Sequence, residues 1–260
     1  MSAAIASRMV RADLLKLRKK PGTVIWSFVL ALAPLLIFFI VRAAQHSSNP
    51  AEHPPAGGAD GFVDALRILA AFFGPLAAIM IGAEGGAGDV ASGVFRDLVV
   101  TGRSRVALFM TRVPAALALT WVVTCAGYAL LAIGTFALAS GSPTPSASQM
   151  LNGLVFSLFS TSVICIVAVG LAALTASRPA TLTVLIGWHL VASPILGSIS
   201  SLGSSRKLIL NQGVNHFSPV RLGEHNANVA MGGTTAVIVV LVWLALFTAL
   251  GAWRTRTMDA

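Results

Sequence analysis

VPAALALTWVVTCAGYALLAIGTFALASGSPTPSASQMLNGLVFSLFSTSVICIVAVGLAALTAS, residues 113–177, contains no Asp, Glu, Lys or Arg. A second uncharged run, PATLTVLIGWHLVASPILGSISSLGSS, spans 179–205. Each exceeds the roughly 20 apolar residues that cross a bilayer. Across all 260 residues, 56% are hydrophobic and only 10% charged. Mean hydropathy is +0.83. A soluble domain carries about 25% charged residues, so this chain cannot cover a globule with a solvated surface. The class it predicts is an all-α polytopic membrane protein. A secreted module, a soluble enzyme and a disordered tail are excluded.

Working outward, six spans are expected at about 23–41, 62–83, 106–139, 150–176, 181–200 and 233–253. The apolar run of the first is longer than the roughly 7–15 residues of a signal-peptide core, and no small-residue cleavage site follows it. It is expected to be a retained helix. Asp64 and Arg67, three apart, can pair on one face of the second span. Gly74-Pro75 should kink that span, because proline removes a backbone donor.

Ahead of the first span stands RMVRADLLKLRKK, residues 8–20. Val10, Leu14 and Leu17 form a narrow stripe, with Arg8, Arg11, Lys16, Arg18, Lys19 and Lys20 around the rest. Two readings stay open: an interfacial helix over 1–21 with its bases toward anionic headgroups, or a plain positive flank that orients the first span. The segment 84–105 is expected as a cytosolic loop and 201–232 as an external segment, either a plain loop or re-entrant.

The formal charge is +9, but its bases sit beside spans and no basic domain exists to bind nucleic acid. Of the 18 Lys and Arg, only Arg42, Arg67, Arg206, Lys207 and Arg221 fall on one side of the membrane. The rest cluster on the other. That bias places both termini in the cytosol, in accord with an even number of crossings.

Catalytic signatures are missing from the sequence. There is no H-E-x-x-H, C-x-x-C, G-x-S-x-G or P-loop, so no metal site, no cofactor and no enzyme activity is expected of this chain. Cys125 and Cys165 lie within spans and read as packing residues. His189 lies within a span, where an ionisable residue is either a relay or substrate group or a neutral histidine bonded to a neighbouring helix. Ser157, Ser160, Thr161 and Ser162 cluster in the fourth span. They line a cavity or hold helices together. Ser157, Thr161 and His189 are therefore the candidate pathway residues.

The most informative segment is 84–105. It carries Glu84, Asp89, Arg96, Asp97, Arg103 and Arg105 around Val94, Phe95, Leu98 and Val99. Phe95, Leu98 and Val99 on one face of a short helix, with mixed charge elsewhere, suit a protein–protein contact.

With those features together, the chain resembles the permease subunit of a type-2 ABC exporter. The likeness rests on the basic helix 8–20, six spans with cytosolic termini, and the longer segment 201–232. It also rests on Glu84, Gly93, Val94 to Val100 and the ending Thr101-Gly102-Arg103-Ser104-Arg105. GGAGDVAS after Glu84 departs from the more acidic, Tyr-containing run common in that family. The resemblance implies half of an export pathway in the cytoplasmic (inner) membrane. A cytosolic ATPase dimer would hold ATP and Mg, and a second permease chain, identical or not, would complete the pathway. Glu84, Asp89, Phe95, Arg96, Asp97, Arg103 and Arg105 would couple to that ATPase. A non-transporting membrane scaffold or regulatory protein, and a secondary transporter, are the alternatives.

Overall fold

The computed structural model describes residues 3–94, 98, 100, 102, 104–220 and 229–258. Among these there is no strand. Helix α1 covers Ala3–Arg18. The six long apolar helices are α2 (Pro21–Ser48), α3 (Gly58–Ala91), α4 (Arg105–Ala137), α5 (Ala147–Thr175), α6 (Arg178–Ser198) and α8 (Gly233–Thr257). A short helix α7 covers Leu210–Asn215. The chain is thus an all-α multi-pass membrane protein.

Several helices run past their expected spans. Helix α2 begins at Pro21, where a missing N–H costs nothing in a first turn, and continues to Ser48. The largest correction is at α3, which runs on to Ala91. Glu84 and Asp89 are therefore helical, not in a loop. They stay helical because each carboxylate finds a cation on a neighbouring helix, as described below.

Helices α3 and α5 form the centre. In the most apolar window of each, 61% is buried, against 17% for α6. Their backbones approach closely because α3 carries Gly82 and Gly86 one turn apart. A Cβ at Gly82 would lie 2.6 Å from the Ala168 Cβ and 2.7 Å from the Cys165 carbonyl oxygen. Hydroxyls join α5 to α4. The Thr120 hydroxyl lies 3.3 Å from Cys165 Sγ, Trp121 Nε1 donates to Ser162 at 2.8 Å, and Thr124 donates to Thr161 at 3.2 Å.

The expected kink at Gly74-Pro75 takes the form of a π-helical turn over Arg67–Phe73. Gly74 N–H donates to the Leu69 carbonyl, five residues back. Pro75 offers no N–H to Ala70 or Ala71. Those two carbonyls are reached instead by other helices: Ser160 Oγ donates to Ala70 O, and His189 Nε2 to Ala71 O, both at 2.9 Å. Helix α6 repeats the device, with a π-turn over Trp188–Ala192 ahead of Ser193-Pro194.

After α6 the chain folds back along α8. Trp243 Nε1 donates to the Leu208 carbonyl at 2.9 Å. Trp243 lies about 15 Å along α8 from its start, at 1.5 Å per residue. Asn211, on α7, reaches His189 in the middle of α6. Leu210, Gln212 and Val214 are buried.

Asp64 and Arg67 pair at 2.9 Å as their spacing predicts. Arg42 of α2 takes the other carboxylate oxygen.

Candidate functional site

A network of charged side chains gathers at the end of α3, where α1, α2, α4 and α6 all start or finish. Glu84 lies two turns before the end of α3 and is 7% exposed. Arg178 Nη1, on the first residue of α6, is 3.1 Å from its Oε2. Lys20 Nζ, in the link from α1 to α2, is 3.7 Å from Oε1. Thr23 in the first turn of α2 donates to Oε2 at 3.4 Å.

Asp89 sits in the last turn of α3, where the helix dipole disfavours an anion. Two cations offset that. Lys16 Nζ of α1 lies 3.1 Å from Oδ1, and Arg112 Nη2 of α4 lies 3.1 Å from Oδ2. Arg112 is buried at 3% exposure, and its Nη1 donates to the Gly86 carbonyl at 3.1 Å. Asp13 closes the group. It holds Lys16 at 3.1 Å and accepts from Thr111 Oγ1 at 2.9 Å. Together these pairs bind α1, α2, α3, α4 and α6 to one another. Lys16, Lys20, Glu84, Asp89 and Arg112 wall a cavity of about 350 Å³ at this end of the bundle.

The expected site residues are therefore distributed unevenly. Glu84 and Asp89 belong to this network, but as bonded members of a helix rather than parts of a free loop. Lys16 and Lys20 face carboxylates, which corrects the reading that all six bases of α1 and its flank turn to headgroups. Arg8, Arg11, Arg18 and Lys19 remain exposed. Arg105 points elsewhere. Its Nη1 donates to the Arg256 carbonyl at 3.3 Å and also to Met258 O, so it caps the carbonyl end of α8. Phe95, Arg96, Asp97 and Arg103 lie outside the described residues. Near them, Val94 and Val100 are exposed, Val100 at 82%.

Ser157 and Thr161 are bonded within their own helix. Each is buried and donates to a carbonyl of its own helix, Gly153 and Ser157 respectively, both at 2.8 Å. Such back-bonding satisfies a hydroxyl where no water reaches it. His189 is bonded on both sides: Nε2 donates to Ala71 O, and Nδ1 accepts from Asn211 Nδ2 at 3.1 Å.

Five residues of the network escaped the sequence reading: Asp13, Thr23, Thr111, Arg112 and Arg178. Asp13 carries a signal, being the one acid in a basic helix. Arg112 carries none, because a single base just inside an apolar run reads as a flank.

The described residues hold no group of three or more His, Cys, Asp or Glu able to ligate a metal. The chain matches no protein-family model and no curated protein.

Proposed function

We propose that this chain is the membrane-spanning half of an ATP-driven exporter, working with a separate ATPase dimer and a second permease chain. The observation that carries this reading is the doubled ion-pair junction, Lys16–Asp89–Arg112 and Lys20–Glu84–Arg178. It lies immediately before the segment that leads from α3 to α4. A load applied to that segment reaches α1, α3, α4 and α6 through charge pairs, so those helices move as one body. A junction of this kind suits a subunit that receives force from outside the membrane. The exposed apolar residues Val94 and Val100 support a protein partner there. In this reading the termini are cytosolic, and Glu84 and Asp89 transmit force rather than catalyse.

The test is extraction of the tagged chain from its native membrane in polymer nanodiscs, after lysine cross-linking, with mass spectrometry of what co-purifies. The expected result is a stoichiometric soluble protein bearing a P-loop. Recovery of the chain without any nucleotide-binding partner overturns the reading. The number of distinct membrane chains recovered separates a homodimer from a heterodimer.

A further inference from the structure

Two cavities with shared walls lie in the bundle, and neither is lined by a residue of the charged junction. The smaller, about 40 Å³, is lined by polar side chains: Ser160, Ser193, Asn211, Gln212 and Asn215, with His189. The larger, about 160 Å³, presents no polar surface, and Ile79, Val167, Leu171 and Leu210 help to wall it. His189 and Ile164 line both. Three aromatic rings border the apolar chamber in a row. Trp188 and Trp243 have centroids 5.7 Å apart, and Trp243 stacks on Phe247 at 5.6 Å.

Asn211, a residue that lines the polar chamber, has an Oδ1 buried without a hydrogen-bond partner. Native interiors rarely leave such atoms unpaired, and a ligand is one way of meeting them. The location fits as well, since π-turns and folded-back segments at membrane depth recur where the backbone lines a cavity.

We propose that these adjoining chambers bind an uncharged amphipathic molecule with a ring-sized apolar body and a hydroxyl-bearing head. Size sets the body: an apolar cavity of about 150 Å³ takes benzene. Charge sets the head. No Asp, Glu, Lys or Arg lines either chamber, so a charged ligand would be buried without compensation. A hydroxyl donates to Asn211 Oδ1 and still accepts from a neighbouring serine or amide. As an account of cargo this rests on the exporter reading; as a binding site it does not.

The test uses the full chain in lipid nanodiscs and its tryptophan emission. The titrants are 4-bromobenzyl alcohol, whose bromine quenches indole on contact, and 4-bromotoluene, which lacks the hydroxyl. Quencher dissolved in lipid gives a linear background from all five tryptophans. The site adds a saturating phase. It should be roughly two- to tenfold weaker for bromotoluene, the ratio expected for one hydrogen bond. Leu171→Phe, which fills the apolar chamber, should abolish it. Asn211→Leu should weaken the alcohol to the level of bromotoluene. Because Asn211→Leu also removes a partner of His189, Leu171→Phe is the independent variant, checked for an unchanged helical circular dichroism spectrum. A strictly linear titration of the unaltered chain overturns the site. Equal affinity for the two probes overturns the hydroxyl head. The assay needs no ATPase, so its failure and that of the exporter reading are distinguishable.

Discussion

Arg112 Nη2 stands 3.1 Å from Asp89 Oδ2 and fastens the end of α3 to the start of α4. Both groups are largely withdrawn from solvent, at 3% and 13% exposure. Lys16, on the other side of the same carboxylate, is 39% exposed. The two cations therefore contribute differently. Removing the buried one leaves Asp89 to a partly exposed lysine and the Gly86 carbonyl without its donor, whereas removing the exposed one forfeits a screened pair. Arg112→Met should destabilise the fold by about 3–5 kcal/mol, and Lys16→Met by about 1 kcal/mol or less. Thermal unfolding of both variants in detergent would check the order. Equal losses would contradict this account of the junction.

The crossing of α3 and α5 depends on the absence of a side chain at Gly82. Gly82→Val should cost about 1–3 kcal/mol or more, because backbone and the Ala168 methyl group stand where the new atoms must go. Gly22→Ala is the control. A Cβ there meets nothing within 4 Å, and the position is helical. It should stabilise by about 0.5–1 kcal/mol. Melting temperatures of the pair would move in opposite directions.

Pro75 and His189 should be energetically coupled. Proline denies Ala71 its in-helix donor, and the imidazole supplies one at 2.9 Å. Pro75→Ala restores an N–H four residues after Ala71. In that background, His189→Ala should cost about 1 kcal/mol less than in the unaltered chain. A double-mutant cycle on unfolding free energies measures this directly. Strictly additive effects would show that the histidine stabilises the π-turn by some other route.

The two cysteines differ in access. Cys165 of α5 is fully buried, its Sγ against Thr120 of α4, while Cys125 is exposed on α4. A lipid-soluble maleimide should modify Cys125 in the intact protein and Cys165 only after denaturation in SDS. Mass spectrometry of the labelled peptides reads the result. Early labelling at Cys165 would contradict the packing of α4 against α5.

Much of the architecture is legible in the chain itself. Six apolar runs, their polar connections and the pairing of Asp64 with Arg67 all follow from composition and short spacing. These depend on how each segment meets water or lipid, which its own residues decide. Proline at 75 announces a break in the helix for the same reason: a missing donor is a local fact. Helix ends were less legible. The polar run after Ala83 reads as a loop until the cations that hold Glu84 and Asp89 are in place.

The charged junction and the buried cavities belong to the tertiary structure. Lys16 and Asp89 are far apart in sequence and come together only when α1 lies against the bundle. A lone arginine such as Arg112 looks like a topological flank until its partner arrives from another helix. Asn211 is an ordinary polar residue until the chain folds back and sets it against His189. The sequence by itself determined that this protein spans a membrane with six helices, because hydropathy is a property of each segment alone. Which charges are buried, which hydroxyls are spent on their own backbone and where a cavity remains were decided by packing, because each depends on atoms supplied by distant segments.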